Sequence, residues 1–545
     1  MLRLLLPPRP TVVVSSASVT CRRSAAVGRP TSMSSMSSAT TSTTIPPRVE
    51  RRRQRRRPMY VAATRPDVGK TSVCLALASH YSRVMPNGIR DVGYMKAIGD
   101  RPVRSMTNDI VDDDENGGGG GDAVVVDGDV ELMRRHFDMT HLDVRDMSPS
   151  SSILSQSQST TGGGRGGGDD YAARYLDGDV NHGGLLERIH RSYGNIIDSI
   201  RRDKTMTKER TAMGNDDFQE MEGEDVIDDI DEDGTSPSKD DVAMIIEGTG
   251  HAGSNSIIGA ENAKIASLLG ADVILVANGG GSGNGVGEAF DELHVNRSLF
   301  AQHGVRIAGV VINKVDPDEY ERTKKYLTMA IQRHWTSTYD GVDDTPPPIL
   351  GIVPDRPYLG SPCLADVETM FGTSLLSGTD HRYRHYDVGS NVRGGRNIGM
   401  SMVTTDLAAF LRTMQRQPET GRTIFVSHVT RDDVILGFLG EYRRRARRGL
   451  SFGSALVICT GCDDGSRGLS TALGLGTEVS EMIVDGGPSG PPVLVASGIS
   501  PAEVARRIRT MTPKFNPCDE RRVSRAAEHY EPYIDFDLLL RRTSS

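Results

Sequence analysis

Short runs of apolar, β-branched residues recur along this chain, and most are followed by a segment with apolar positions at helical spacing. The first run, Met59–Ala63, leads through a glycine–lysine turn into a helical stretch from Thr71 to about Tyr81. A second run covers Asp91–Lys96. Further on, Leu185, Leu186, Ile189, Tyr193, Ile196, Ile197 and Ile200 form one helical stripe, which predicts a helix laid on a sheet. Strands are then predicted at Val242–Ile246, Val273–Ala277, Ile307–Asn313 and Pro348–Val353, alternating with helices at Ala260–Leu269, Glu288–His303 and Tyr320–Arg333. Strands that read as unbroken apolar runs are buried on both faces, and strand–helix alternation implies crossover units in a parallel sheet. The expected class is α/β.

The pattern breaks near Leu376–Gly395 and then resumes as a smaller α/β unit over about 385–508. Its predicted strands are Asn397–Val403, Thr423–Val426, Ala455–Cys459 and Pro492–Ala496, with helices at Thr405–Met414 and Asp432–Tyr442. Ser500-Pro501-Ala502-Glu503 reads as a capping box that opens a helix through Ile508. The residues from 509 to 545 form a tail with helical pieces and no nameable chemistry.

Composition narrows this picture. The chain has 545 residues, of which 60 are glycine, and three segments follow neither period: near 110–124, 148–170 and 206–241. They read as solvated insertions in the first unit, which spans about 58–376. The net charge of −8 hides an Arg-, Ser- and Thr-rich leader over residues 1–57, in which Glu50 is the only acid. That composition is transit-peptide-like and predicts a mitochondrial address, with plastid or cytoplasm as alternatives. The block Arg51–Arg57 lacks aromatic interleaving, so nucleic acid is not an expected partner. No apolar run approaches the ~20 residues of a membrane-spanning helix, so no membrane role is expected. The six cysteines are scattered. Cys459 and Cys462 form a lone CxxC with no second pair to complete a metal site.

The candidate chemistry lies in Ala63-Thr64-Arg65-Pro66-Asp67-Val68-Gly69-Lys70-Thr71-Ser72, between a strand and a helix. Phosphates need converging backbone N–H groups, a helix N-terminus and a cation. Gly69 lets the backbone approach, Lys70 reaches the β/γ oxygens and Thr71 offers a hydroxyl to magnesium. Val68 and Ser72 complete the cradle, and ATP with Mg2+ is the expected ligand. Thr64 stands where the motif usually has its first glycine. Glu247 leaves the C-terminal end of a buried strand, where α/β proteins bind ligands, and a carboxylate there can hold magnesium. Asp109, Asp127 and Asp129 are each able to supply a second carboxylate. Lys96 ends a strand on the same side.

These segments resemble the dethiobiotin-synthetase-like P-loop region of long-form bacterial phosphate acetyltransferases. The resemblance rests on Val68-Gly69-Lys70-Thr71, on Lys96-Ala97-Ile98 for a Lys-Pro-Ile segment, and on Asp127-Gly128-Asp129. It continues through Glu247-Gly248-Thr249-Gly250, Gly309–Val315 and Leu350–Pro354. It implies a P-loop NTPase sheet with flanking helices and favours Asp129 as the second carboxylate. It further implies that Lys70 and Lys96 attend the transferred phosphate, that Asn313 and Pro354 face the adenine, and that a homodimer forms. Residues 385–508 resemble the DRTGG domain of the same proteins, taken as regulatory or ligand-sensing. Its motifs are half kept as Thr430-Arg431-Asp432-Asp433 and Thr460-Gly461-Cys462, which leaves Arg431 and Thr460 as its candidate residues. The phosphotransacetylase catalytic domain that follows in that family has no room before Ser545, so acetyl transfer is not expected. Three functions remain: a nucleotide-dependent regulatory protein sensing an unknown small molecule, an ATP-dependent ligase like dethiobiotin synthetase, and a non-catalytic interaction protein with a degenerate P-loop.

Overall fold

The computed structural model describes residues 56–99, 101–106, 123–150, 175–177, 182–213, 242–280, 285–335, 346–388, 399–417, 421–460 and 477–543. Two parallel sheets and one hairpin organise them. The larger sheet has the order β2-β5-β1-β6-β7-β8, from Val92–Lys96 (β2), Ala243–Glu247 (β5), Met59–Ala63 (β1), Asp272–Asn278 (β6), Ile307–Val315 (β7) and Ile349–Pro354 (β8). Every residue of β1, β2 and β5 is buried. Successive side chains point to opposite faces, so both faces of the sheet are covered, as the unbroken apolar runs predict. The chain passes from β1 out to β2, returns to β5 and crosses β1 to β6. β1 is therefore interior, at the point where the strand order reverses.

The register brings the strand ends to one edge. Lys96 pairs with Glu247, Asn278 with Asn313, and Val315 with Pro354. Every sheet residue singled out in the sequence thus sits at or just beyond the C-terminal edge of the larger sheet.

The smaller sheet runs β12-β11-β10-β9, from Val493–Ala496 (β12), Ala455–Cys459 (β11), Ile424–His428 (β10) and Met400–Met402 (β9), all parallel. Leu364, Val367 and Leu375 pack in this second core although they precede the expected break. Ser500 caps its helix by accepting from the Glu503 N–H at 3.3 Å.

Two features were not legible in the sequence. Pro102–Met106 (β3) and Ala123–Asp127 (β4) form an antiparallel hairpin, with the first insertion between them. The tail from 509 onward is an integral part of the first unit. Its helix Glu520–Tyr530 packs along the helix Lys70–Val84 (α1). Beyond it, Ile534 makes a bridge to Gly351, and the Asp535 N–H donates to the Leu350 carbonyl at 2.7 Å. That bridge covers the open edge at β8. The helix His182–Met213 carries the predicted stripe and continues past it into the third insertion. Among the described residues no helix is long and apolar enough to cross a membrane.

Candidate functional site

The loop that leaves β1 is braced from several sides. Thr64 N–H donates to the Val276 carbonyl at 2.9 Å, and its hydroxyl donates to Glu292 at 2.6 Å. Arg65 bridges Glu288 and Glu292 at 3.0 and 3.1 Å. Thr64 therefore anchors the loop through its side chain, a contact glycine could not make. At the far end Gly69 has φ +100°, in the region where an L side chain is strained, and it directly precedes α1. A Cβ on Gly69 would lie 2.2 Å from Asn313 Nδ2. Gly69→Ala is expected to cost about 2 kcal/mol of stability from backbone strain and to weaken polyphosphate binding at least about tenfold; denaturant melts and a nucleotide titration check both.

Gly69, Lys70, Thr71, Ser72, Asp129 and Pro354 all line a cavity of about 670 Å³. The N–H groups of the first turn of α1 carry the helix's positive end, which favours an anion there. Glu247 is buried. Its Oε1 accepts from the Thr71 hydroxyl at 2.8 Å and its Oε2 from the Tyr94 hydroxyl at 2.8 Å. Burial, and then the charge of Asp129, raise the Glu247 carboxyl above its usual range, against Lys96 and Lys70.

Lys96 is 3% exposed and sits between two carboxylates. It pairs with Asp127 at 3.1 Å and more closely with Asp129, whose other oxygen takes Arg101 at 3.2 Å. Burial acts to raise the Asp129 carboxyl, but Lys96 and Arg101 prevail and hold it at about 2. Asp127 also caps the helix Gly128–His136 by accepting from the Asp129 N–H at 2.8 Å. Asp109 lies outside the described residues. Thr71, Glu247 and Asp129 offer only hard oxygen donors. Among the described residues no group of three or more His, Cys, Asp or Glu side chains converges. That donor set fits a cation that takes few protein ligands and completes its shell with phosphate oxygens and water, as Mg2+ does.

The other end of the cavity is built by the tail, in which the sequence revealed no chemistry. Asn313 is 1% exposed. Its Nδ2 donates to the Val68 carbonyl at 2.6 Å, and its Oδ1 accepts from Lys314 N at 2.8 Å and from the Tyr530 hydroxyl at 2.9 Å. Burial pushes the Tyr530 phenol up to about 12, so it remains a donor. His529 Nε2 donates to the Pro354 carbonyl at 2.9 Å. Burial lowers the His529 imidazole, which favours the neutral ring. Lys514 pairs with Asp67 of the loop, and Arg101 donates to the Phe515 carbonyl at 3.1 Å. Val523, Ala526, Ala527 and Tyr530 do form a helical stripe in the sequence. What they pack on lies hundreds of positions away, so local pattern could not reveal it.

In the second unit, Arg431 and Thr460 follow the C-terminal ends of β10 and β11. The Arg431 guanidinium is engaged by Asp433 at 2.8 Å and by the Thr405 carbonyl at 2.9 Å. Thr460 accepts from the Gly498 N–H at 3.1 Å. Thr430 is bonded to His428 at 2.9 Å. Gly461 and Cys462 lie outside the described residues, and Cys459 is buried.

A family model described as an AAA domain matches residues 204–363, which hold β5 to β8 with Glu247, Asn313 and Pro354. A phosphate acetyltransferase of Synechocystis sp. is 24% identical over 302 residues, which is 54% of this chain and 36% of that protein. The chain thus matches little more than a third of that relative's length. Together with the parallel sheet and the strand–loop–helix at Gly69–Thr71, these likenesses support a nucleotide-binding P-loop protein, and the fold is α/β with a smaller second α/β region.

Proposed function

We propose that the chain binds ATP with Mg2+ at the loop ending in Gly69-Lys70-Thr71 and uses the bound state for regulation, the second α/β unit serving as a DRTGG-type sensing module. The observation that carries this reading is the junction of β1 and α1. A left-handed glycine, a lysine and a hydroxyl pinned to a buried carboxylate stand at the open edge of the sheet, beside its reversal point. Lys70 and the first-turn N–H groups would hold the phosphates, and Thr71 with Glu247 the metal, with Asp129 near enough to add its charge. Bound Mg2+ neutralises phosphate charge. The loop's bracing by Glu292 and Asn313 keeps the cradle ordered before the ligand arrives.

The ATP-dependent ligase reading asks Lys96 to meet a transferred phosphate. Lys96 lies buried between Asp127 and Asp129, which favours binding and sensing over transfer. The leader is proposed to direct the protein to the mitochondrion.

The test is thermal stability of the full chain with ATP, with and without Mg2+. A ligand at about 100 times its Kd stabilises by about 2.7 kcal/mol, so a rise of several degrees is expected with Mg2+ and a smaller one in EDTA. Glu247→Gln is expected to bring the two conditions within about one degree of each other. Equal shifts in wild type with and without Mg2+ would remove the metal from the account.

A further inference from the structure

The hydrogen-bond acceptors beside Asn313 and Pro354 are engaged inside the chain. Asn313 directs one of its two amide N–H groups at the Val68 carbonyl, and its oxygen accepts from both Lys314 N and Tyr530. The Pro354 carbonyl takes His529. Tyr530 is 4% exposed, and its hydroxyl would lie 3.3 Å from a Cβ on Gly69, so the phenol sits directly against the phosphate loop. The helix that carries both residues packs along α1 and buries Val523 and Ala526 in the main core, so it is no loosely held plug. At the phosphate end, Gly69, Lys70 and Thr71 face the cavity. A hydrogen-bonding site discriminates by the groups it leaves for the ligand, and selectivity falls when those groups are already satisfied.

Resting on the nucleotide reading above, we propose that His529 and Tyr530 occupy the acceptors that would read a base amine, the Pro354 carbonyl and the Asn313 oxygen, and that this site selects a Mg2+-bound triphosphate chain whatever base, if any, it carries. Asn313 then acts as a brace that holds the loop through Val68, and the ligand class widens to nucleoside triphosphates of any base and inorganic triphosphate alike.

The test is competitive titration of the full chain in Mg2+ with ATP, GTP and inorganic triphosphate. Dissociation constants within threefold of one another are expected. A preference for ATP of more than threefold over both others would overturn the inference while leaving the nucleotide reading intact; binding of none of the three would sink both. Tyr530→Phe keeps the ring and its packing but frees the Asn313 oxygen of one of its two donors, Lys314 N remaining as the other. It is expected to shift the ATP-to-GTP ratio toward adenine by about fivefold. An unchanged ratio in that variant, with a wild-type melting curve, would show that Tyr530 does not suppress base reading.

Discussion

Lys70→Ala is expected to weaken Mg2+–ATP binding by about a hundredfold, equivalent to about 2.7 kcal/mol, while the free protein melts close to wild type. The ammonium group stands at the start of α1 on the cavity wall, in the position that reaches β/γ oxygens in a P-loop. A hydrogen bond between charged partners contributes about 1.5–3 kcal/mol, and the two other lysines that reach the loop, Lys314 and Lys514, are engaged at Asp67. Lys70→Arg is expected to recover only part of the loss, because the planar guanidinium does not fit a cradle shaped for a compact cation. Fluorescence titration with a labelled nucleotide separates the three proteins.

A second large effect is expected at Lys96, and on a different quantity. Lys96→Met leaves Asp127 and Asp129 buried, with Arg101 paired to Asp129 and Lys514 acting on it less strongly. Removing one partner of a buried ion pair typically costs about 3–5 kcal/mol, so denaturant melts should show a loss of that order. Below the lowered melting point, nucleotide affinity should stay within about threefold of wild type. Adding Asp127→Asn removes one stranded charge and keeps an oxygen to cap the helix Gly128–His136, so it should recover part of the stability. A normal melt with nucleotide turnover lost would instead assign Lys96 to catalysis and revive the ligase reading.

The core of the fold could be read from pattern because its strands are buried on both faces and its loops carry glycine, lysine and capping signals. Met59–Ala63 and Val242–Ile246 are examples, each within a residue of the observed strand. Gly69, Lys70, Thr71 and Glu247 were legible for the same reason: local spacing places the first three at a helix start just after a strand and Glu247 at a strand end. Lys96 was located correctly at its strand end, but not its partners. Which carboxylates close on a lysine depends on how β2 and the helix Gly128–His136 meet, and no local period encodes that. The hairpin of β3 and β4 escaped because Val124-Val125-Val126 stands alone after a glycine run. The tail escaped for a stronger reason. Its amphipathic spacing says that one face is buried. Charge, period and composition do not say that this face closes on α1 and the Asn313 amide.

The central claim is that a polyphosphate is held by the backbone and Lys70 at the junction of β1 and α1. Calorimetric titration of the full chain with ATP in Mg2+ tests it most directly. One saturable site per chain, abolished by Lys70→Ala and weakened by EDTA, is the predicted result. Absence of binding heat at several temperatures, or heat unchanged by Lys70→Ala, would contradict it.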